Sequence, residues 1–336
     1  MRALCSASVL ANLMKRQLVV VWVPDIHLSA SMAELFVTDG MMVLNSDPYE
    51  RLPKRDIVLY DFDKGEALPI EASSKSIIFA VSPFRLTGVG ESAVSDELFQ
   101  ACIASLEPNE MVRSLATKFR SLMQIEAGVT TVGMHVRMEG RLEVDVPGIY
   151  DLEPHMRHVK PGLEIDAQLE RSKCDASIFV KKMFEVSRSH ARTHFFASVD
   201  CNKAWDIISN GAKHGLDRPV HLTNPFTFNN CQGRIRRSAI CVQAALAELL
   251  VLSEAELFIY SSWSSFSEII LSIRTLKRLP SILGCKSDEE TFSKTPPPAV
   301  ARASVFSMLF EGFGSAKLVS GDTSSRDQDK SSLMIA

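Results

Sequence analysis

The first third of the chain alternates helical patterns with short apolar runs. Apolar positions share one helical face along 3–14, which predicts a helix, and a block rich in β-branched residues follows at 19–23. The runs 57–60 and 77–81 have the length and the polar borders of strands in a covered sheet. A 3.6-residue spacing then predicts a helix over 111–123, where we expect the first lobe to close.

The second half of the chain alternates strands and helices more regularly. The predicted strands cover 129–136, 194–197 and 257–260, and the predicted helices cover 176–186, 203–212, 238–252 and a segment starting near 265. Such alternation implies βαβ units and a parallel sheet. We therefore predict an α/β fold with one lobe over 1–126, a second over 127–290, and a carboxyl-terminal helix with a disordered tail over 291–336.

Composition excludes some classes of function. Apolar residues make up 46%, charged residues 23%, and the formal net charge is -3, as in an ordinary soluble globular protein. The dense basic cluster is limited to Arg234, Arg236 and Arg237, so we do not expect a nucleic-acid partner. No apolar stretch reaches the roughly 18 to 20 residues that a transmembrane helix needs.

The seven cysteines give no sign of a metal site. Their number is odd, they are widely spaced, and they include no C-x-x-C pair and no histidine at ligand spacing. We therefore expect free, mostly buried thiols and no structural zinc.

The end of the predicted strand 129–136 carries the first candidate chemistry. His135 and Arg137 alternate outward there, and ligands of a parallel sheet bind at the carboxyl ends of its strands. The guanidinium of Arg137 suits two phosphate oxygens, and its charge could offset the negative charge of a departing nucleoside diphosphate. The alternative is a structural ion pair between Arg137 and Glu139.

Two further strand ends carry polar residues. Asp200 follows the strand 194–197 and could hydrogen-bond a base edge or a ribose hydroxyl, or it could cap the next helix. The serine-rich turn 261–268 lies between a strand and a helix, so its hydroxyls and the helix amides could hold a phosphate. Ser265 and Glu268 alternatively have the spacing of a capping box, which is compatible with phosphate binding.

The order and spacing of these motifs resemble the fucosyltransferase superfamily, which includes α1,6-fucosyltransferases, rhizobial nodulation fucosyltransferases and protein O-fucosyltransferases. Its members share an H-x-R strand end, a strand that ends in small and acidic residues, and a late S-S-F-S-like turn before a helix. The sequence Trp22-Val23-Pro24-Asp25, followed by Glu34-Leu35-Phe36, also resembles a "W-x-P-D … D-L-F" stretch of related bacterial and algal sequences. The resemblance covers roughly residues 1 to 284.

This resemblance implies a GT-B-like glycosyltransferase of two Rossmann-like lobes, the first on the acceptor side and the second binding the nucleotide sugar. The implied reaction is an inverting transfer of fucose from GDP-fucose to an acceptor hydroxyl on a glycan or glycoprotein, with no metal and no further cofactor. By position, Arg137 matches the catalytic arginine on the β-phosphate and Asp200 the acidic residue at the guanosine. The other residues expected to bind the donor are His135, Arg237, Ser264, Ser265, Phe266 and Ser267, and Glu139 is a candidate catalytic base.

The sequence also departs from the pattern of this superfamily. A G-G-x-G-N-R/Q-L-like loop usually precedes the first helix, whereas this sequence begins with Met1-Arg2-Ala3-Leu4 at that helix, so we expect a truncated amino terminus. The alternative function is therefore a non-catalytic relative that binds a nucleotide or a glycan. An unrelated α/β enzyme would be favoured if the H-x-R and S-S-F-S segments lay far apart. The compartment stays open between the Golgi or endoplasmic reticulum lumen, if a missing segment carried a signal, and the cytoplasm.

Overall fold

The structure of the chain is a computed structural model. It describes residues 1–24, 28–61, 75–81, 85–86, 88–89, 92–122, 128–138, 174–190, 192–214, 221–223, 231, 238–262, 264–285 and 332–335. The chain forms two compact units, of which the first comprises Met1–Asp25, Ser31–Glu107 and Pro298–Ala336, and the second comprises Ile26–Ala30 and Pro108–Pro297. Within the described residues, no helix is both long enough and apolar enough to cross a membrane.

The first unit is built on a parallel sheet. Its helices are α1 (Arg2–Leu13), α2 (Met32–Leu35) and α3 (Asp96–Ser105), and 3₁₀ turns cover Tyr49–Arg51 and Lys54–Asp56. The strands are β1 (Gln17–Val21), β2 (Met42–Leu44), β3 (Ile57–Asp61), β4 (Ile77–Val81) and β12 (Ser332–Ile335), in the order β2-β1-β12-β4-β3 with every pair parallel. A separate antiparallel pair joins β5 (Gly88–Val89) to β6 (Ser92–Ala93).

Burial of helix α1 extends beyond the single apolar face that its sequence pattern predicts. Cys5, Val9 and Leu10 on this helix are at most 1% exposed. Ser6 is buried with them, and its hydroxyl donates to the Ala3 carbonyl at 3.0 Å and accepts the Leu86 N–H at 2.9 Å. A buried hydroxyl is tolerated when its hydrogen bonds are made, so Ser6 ties α1 to the chain near Leu86 without an unpaired polar group.

The second unit contains the candidate site. Its helices are α4 (Glu110–Leu122), α5 (Ala176–Ser189), α6 (Asn202–His214), α7 (Ala239–Glu254) and α8 (Ser265–Lys277). Its strands are β7 (Thr130–Val136), β8 (Thr193–Val199), β9 (His221–Thr223), β10 (Leu257–Tyr260) and β11 (Ser281–Leu283). They form a parallel sheet in the order β9-β8-β7-β10-β11, which is the 3-2-1-4-5 order of a doubly wound Rossmann-type sheet.

Helices cover both faces of this second sheet. Successive residues of a strand point to opposite faces, and β7 shows this alternation. Val132 lies in one apolar cluster with Phe179 of α5 and Ile208 of α6. Gly133 faces α7 instead, where a Cβ atom would lie 2.8 Å from Leu252 Cδ2. The glycine therefore allows α7 to approach the sheet closely.

The sequence predicted this α/β class with parallel sheets correctly. Except for the carboxyl-terminal helix, the predicted helices and strands listed above are present, with ends that differ by a few residues. Helix α3, whose start is capped by Ser95 through a bond from the Leu98 N–H, was not predicted. Neither were the short elements α2, β2, β5, β6, β9 and β11. Strands of three residues carry too little periodic signal to be recognised from sequence.

The boundaries of the two units differ from the predicted lobes. Helix α4 belongs to the second unit. The ring centroids of Phe119 and of Phe196 on β8 are 6.3 Å apart, and Arg120 makes two hydrogen bonds, of 2.7 and 2.8 Å, to Glu254 of α7. The expected disorder of the tail is wrong for Ser332–Ile335, which forms β12 between β1 and β4. The expected helix after 291 lies outside the described residues.

The expectation of free thiols is wrong for four of the cysteines. Disulfides join Cys174 to Cys285 and Cys231 to Cys241, with Cα–Cα distances of 4.5 and 5.6 Å. Cys5, Cys102 and Cys201 are not in a disulfide with any residue that the structure describes, and the first two are buried. The Cys174–Cys285 pair is separated by 111 residues, and only the fold brings such residues together.

Candidate functional site

The strand order defines where a ligand would bind in the second unit. Strand β7 is followed along the chain by α5 on one face of the sheet, and β10 is followed by α8, which contacts α7 on the other. Because these helices cover opposite faces of the sheet, the carboxyl ends of β7 and β10 are where a crevice is expected. In an open α/β sheet this switch point is the usual ligand site. Two of the three motifs singled out from the sequence lie there, the pair His135 and Arg137 and the serine-rich turn.

His135 is the last residue of β7 that pairs with β10. Its side chain is 5% exposed, its Nδ1 lies 2.7 Å from Ser267 Oγ of α8, and its ring centroid lies 4.7 Å from that of Phe266. Burial, with a smaller contribution from the Arg137 charge, lowers the pKa of His135 to about 3. The imidazole is therefore neutral near pH 7 and acts through hydrogen bonds rather than as a general acid or base.

Arg137 is the first residue beyond β7. Its backbone N–H donates to Ser261 Oγ at 2.9 Å, and its Nε lies 3.8 Å from Asp200 Oδ2. The Nε atom is buried and makes no hydrogen bond with any residue that the structure describes. The Arg137 side chain is 34% exposed, so part of it reaches solvent, while its backbone is held by Ser261.

The amino terminus of α8 faces the same crevice. Ser264 is its N-cap and accepts the Ser267 N–H at 3.5 Å, one residue before the capping box that the sequence suggested at Ser265. Ser264 and Ser267 are buried, Ser265 is exposed and Phe266 is half-buried. The N–H groups of a helix's first turn point out of the helix and carry the positive end of its dipole, which favours an anion there.

A disulfide supports the turn before α8. Ser262 donates its backbone N–H to Cys285 Sγ at 3.3 Å, and its Oγ lies 3.3 Å from Cys174 Sγ. Cys174 directly precedes the N-cap of α5, and Cys285 directly follows Gly284, whose N–H donates to the Tyr260 carbonyl at 2.8 Å. The disulfide therefore fixes the turn to the ends of two neighbouring elements.

Asp200 lies at the end of β8, beside β7. Its Oδ1 accepts the Met138 N–H at 2.8 Å, and its side chain is 7% exposed. Helix α6 begins two residues later, at Asn202, and the Cys201 carbonyl accepts the Trp205 N–H at 3.2 Å. Asp200 is thus turned toward the chain that leaves β7.

The structure brings together most of the residues predicted from sequence. Contacts within hydrogen-bonding or ion-pairing distance, or between rings, link His135 to Ser267 and Phe266, and Arg137 to Asp200. The segments carrying Glu139 and Arg237 lie outside the described residues. Ser261 was not predicted individually as a site residue, although it directly follows β10, and a position after a strand is the signal that identified Arg137.

Comparisons with known proteins give matches in structure alone. No protein-family model and no curated protein matches the sequence. The apo form of POFUT1 is similar, with a TM-score of 0.48 and 12% identity over 83% of this chain and 92% of that one. POFUT1 in complex with GDP-fucose matches with a TM-score of 0.45 and 13% identity over 81% and 90% of the two chains. The fucosyltransferase NodZ from Bradyrhizobium matches with a TM-score of 0.45 and 14% identity over 83% and 88%.

Proposed function

We propose that this chain is a glycosyltransferase that binds a nucleotide sugar, GDP-fucose, at the carboxyl ends of β7 and β10. The observation that carries the proposal is the 2.7 Å contact between His135 and Ser267, which are 132 residues apart in sequence. It joins the H-x-R strand end to the S-S-F-S turn. The fucosyltransferase resemblance depends on these two segments, and a wide separation between them would have favoured an unrelated α/β enzyme.

The charges around the crevice fit a diphosphate. Arg137 supplies a planar set of donors, part of it exposed, and α8 supplies amides and the positive end of a 13-residue helix. Both would attract the two phosphates of the donor and stabilise the charge that grows on the leaving nucleoside diphosphate. His135 is buried and neutral, so it supports the start of α8 through Ser267 without adding charge to the site.

The proposed reaction is an inverting substitution at the anomeric carbon. The hydroxyl of a glycan or glycoprotein acceptor attacks that carbon from the face opposite the diphosphate, the sugar–phosphate bond breaks, and GDP leaves with the bonding electrons. The acceptor proton passes to a base, for which Glu139 is the candidate because it lies two residues after Arg137 in the sequence. Arg137 and the helix dipole supply the positive charge that a metal ion would otherwise supply, so we propose transfer without a metal.

Thermal unfolding tests the donor site directly. GDP or GDP-fucose at about 100 times its dissociation constant should stabilise the protein by roughly 2.7 kcal/mol, whereas UDP and ADP should stabilise it less. Arg137→Ala should remove the shift, and Arg188→Ala, which deletes an exposed arginine in the last turn of α5, should keep it. A nucleotide shift that survives in Arg137→Ala would refute the assignment of that residue.

Transfer is tested by the release of GDP from GDP-fucose in the presence of candidate acceptors. We expect turnover in the wild type and in Arg188→Ala, no turnover in Arg137→Ala, and no loss of turnover on addition of a metal chelator. Guanine-nucleotide binding without turnover for any acceptor would instead favour the non-catalytic alternative.

A further inference from the structure

The backbone that carries Arg137 is held from both neighbouring strands. Regular pairing of β7 ends at His135 on the β10 side and at Val136 on the β8 side. Beyond that point the next two N–H groups are bound by side chains. The Arg137 N–H donates to Ser261 Oγ at 2.9 Å, and the Met138 N–H donates to Asp200 Oδ1 at 2.8 Å.

The same two residues also extend the sheet through their own backbones. The Ser261 N–H donates to the His135 carbonyl at 3.0 Å, and the Asp200 N–H donates to the Val136 carbonyl at 3.3 Å. Each residue therefore holds the exit of β7 by two bonds, one from its backbone and one from its side chain. Because the end of β7 is hydrogen-bonded on both sides, it has little freedom to move within the plane of the sheet.

Burial separates these two residues from the groups that could touch a ligand. Ser261 is 1% exposed and the Asp200 side chain 7%, whereas Arg137 is 34% exposed. A buried hydroxyl bonded to a backbone amide contributes geometry rather than a ligand contact. The Asp200 carboxylate also stands 3.8 Å from the Arg137 Nε, where its negative charge offsets the cost of burying the base of the guanidinium.

We propose that Ser261 and Asp200 are positioning residues that fix the direction in which Arg137 leaves the sheet. This inference rests on the proposed function, and it assigns Asp200 to Arg137 and its backbone rather than to the guanosine of the donor. In the proposed reaction, Arg137 stabilises negative charge that develops in the transition state. A displacement of the Arg137 backbone should therefore lower kcat more than it raises the KM for the donor. Misplacement by about 1 Å can cost about 100-fold in rate.

Substitutions at the two positions separate charge from geometry. Ser261→Ala removes the acceptor of the Arg137 N–H, whereas Ser261→Thr keeps it. Asp200→Ala removes both the acceptor and the charge, whereas Asp200→Asn keeps an oxygen for the Met138 N–H. Thr131→Val is the matched control, because Thr131 Oγ1 accepts the Glu256 N–H at 3.1 Å at the opposite end of β7.

The first readout is hydrogen exchange of the Arg137 and Met138 amides in the protein without nucleotide. Exchange should rise at least 10-fold at Arg137 in Ser261→Ala and at Met138 in Asp200→Ala, and should stay near the wild-type rate in Ser261→Thr and Thr131→Val. The second readout is transfer from GDP-fucose, in which kcat should fall about 10- to 100-fold in the two alanine variants, with donor KM changed less than threefold. The kcat of Asp200→Asn should lie between that of Asp200→Ala and that of the wild type.

The outcomes distinguish this inference from the proposed function. If the wild type neither binds nor uses a guanine nucleotide, the proposed function fails and the inference fails with it. If Arg137→Ala abolishes transfer while Ser261→Ala and Asp200→Ala behave like Thr131→Val in exchange or in kcat, the positioning role alone is refuted. A higher donor KM in Asp200→Ala, with kcat retained, would mean that Asp200 contacts the donor instead.

Discussion

Burial of a neutral histidine beside Arg137 makes the stability of the second unit depend on pH. In the folded protein the pKa of His135 is lowered from 6.5 to about 3, first by burial and then by the Arg137 charge. The unfolded chain therefore takes up a proton as the pH falls below about 6.5, while the folded protein does not. His135 contributes its full stability above pH 6.5 and loses it progressively as the pH falls toward 3.

The magnitude follows from the gap between the pH and the unfolded pKa. Each pH unit below about 6.5 costs about 1.4 kcal/mol, so wild type should lose about 2 kcal/mol between pH 7 and pH 5 through this one residue. The pH range from 7 to 5 stays above about pH 4.5, below which carboxylates also take up protons. His135→Asn cannot take up a proton in either state, and this part of the pH dependence should vanish in the variant.

Urea denaturation at pH 7 and at pH 5 measures the difference. Hydrogen exchange of the β7 and β8 amides, followed as urea is added, reports on the unfolding of the unit that contains His135. His214→Asn is the matched control, because His214 is an exposed residue at the end of α6. The reasoning would be refuted if His135→Asn and the wild type lost the same free energy of unfolding between the two pH values.

Two further predictions concern the interior of the second unit. Arg274 is 1% exposed and donates to the Leu252 carbonyl at 3.2 Å, so Arg274→Met should leave buried carbonyls unpaired and cost about 3 kcal/mol, whereas Lys277→Met on the same helix should cost little. Chemical denaturation checks this, and equal losses in the two variants would contradict it. The Cys174–Cys285 disulfide should stabilise by about 2 to 5 kcal/mol, so a reductant should lower the melting temperature of wild type more than that of a variant with serine at both positions. Equal shifts would mean that this bond does not stabilise the protein.

The local part of the candidate site could be predicted from sequence. His135 and Arg137 lie at the end of a strand that its β-branched residues predict, and the serine-rich turn lies between a strand and a helix with a clear pattern. These signals are carried by neighbours in the chain, so periodicity and capping preferences are enough to find them. The position of the α8 cap, at Ser264 rather than Ser265, shows the usual error of about one residue at a helix end.

The roles of Asp200 and of the cysteines could not be predicted in the same way. Asp200 was a plausible helix cap or base contact by its sequence, and its bond to Met138 depends on how β8 lies beside β7. The cysteine spacing fitted free thiols as well as disulfides, since Cys174 and Cys285 are 111 residues apart. A carboxylate or a thiol has many possible partners, and only the fold selects one.

The sequence by itself determined the α/β class, the parallel character of the sheets, most of the helices and strands, and the motifs that resemble fucosyltransferases. It could do so because these properties depend on residues within one or two turns or strands of each other. The tertiary structure decided the strand order that puts the switch point between β7 and β10, and it placed β12 inside the first sheet. It also decided the neutral state of His135, because burial is a sum over contacts from distant segments, among them Ser267 132 residues away.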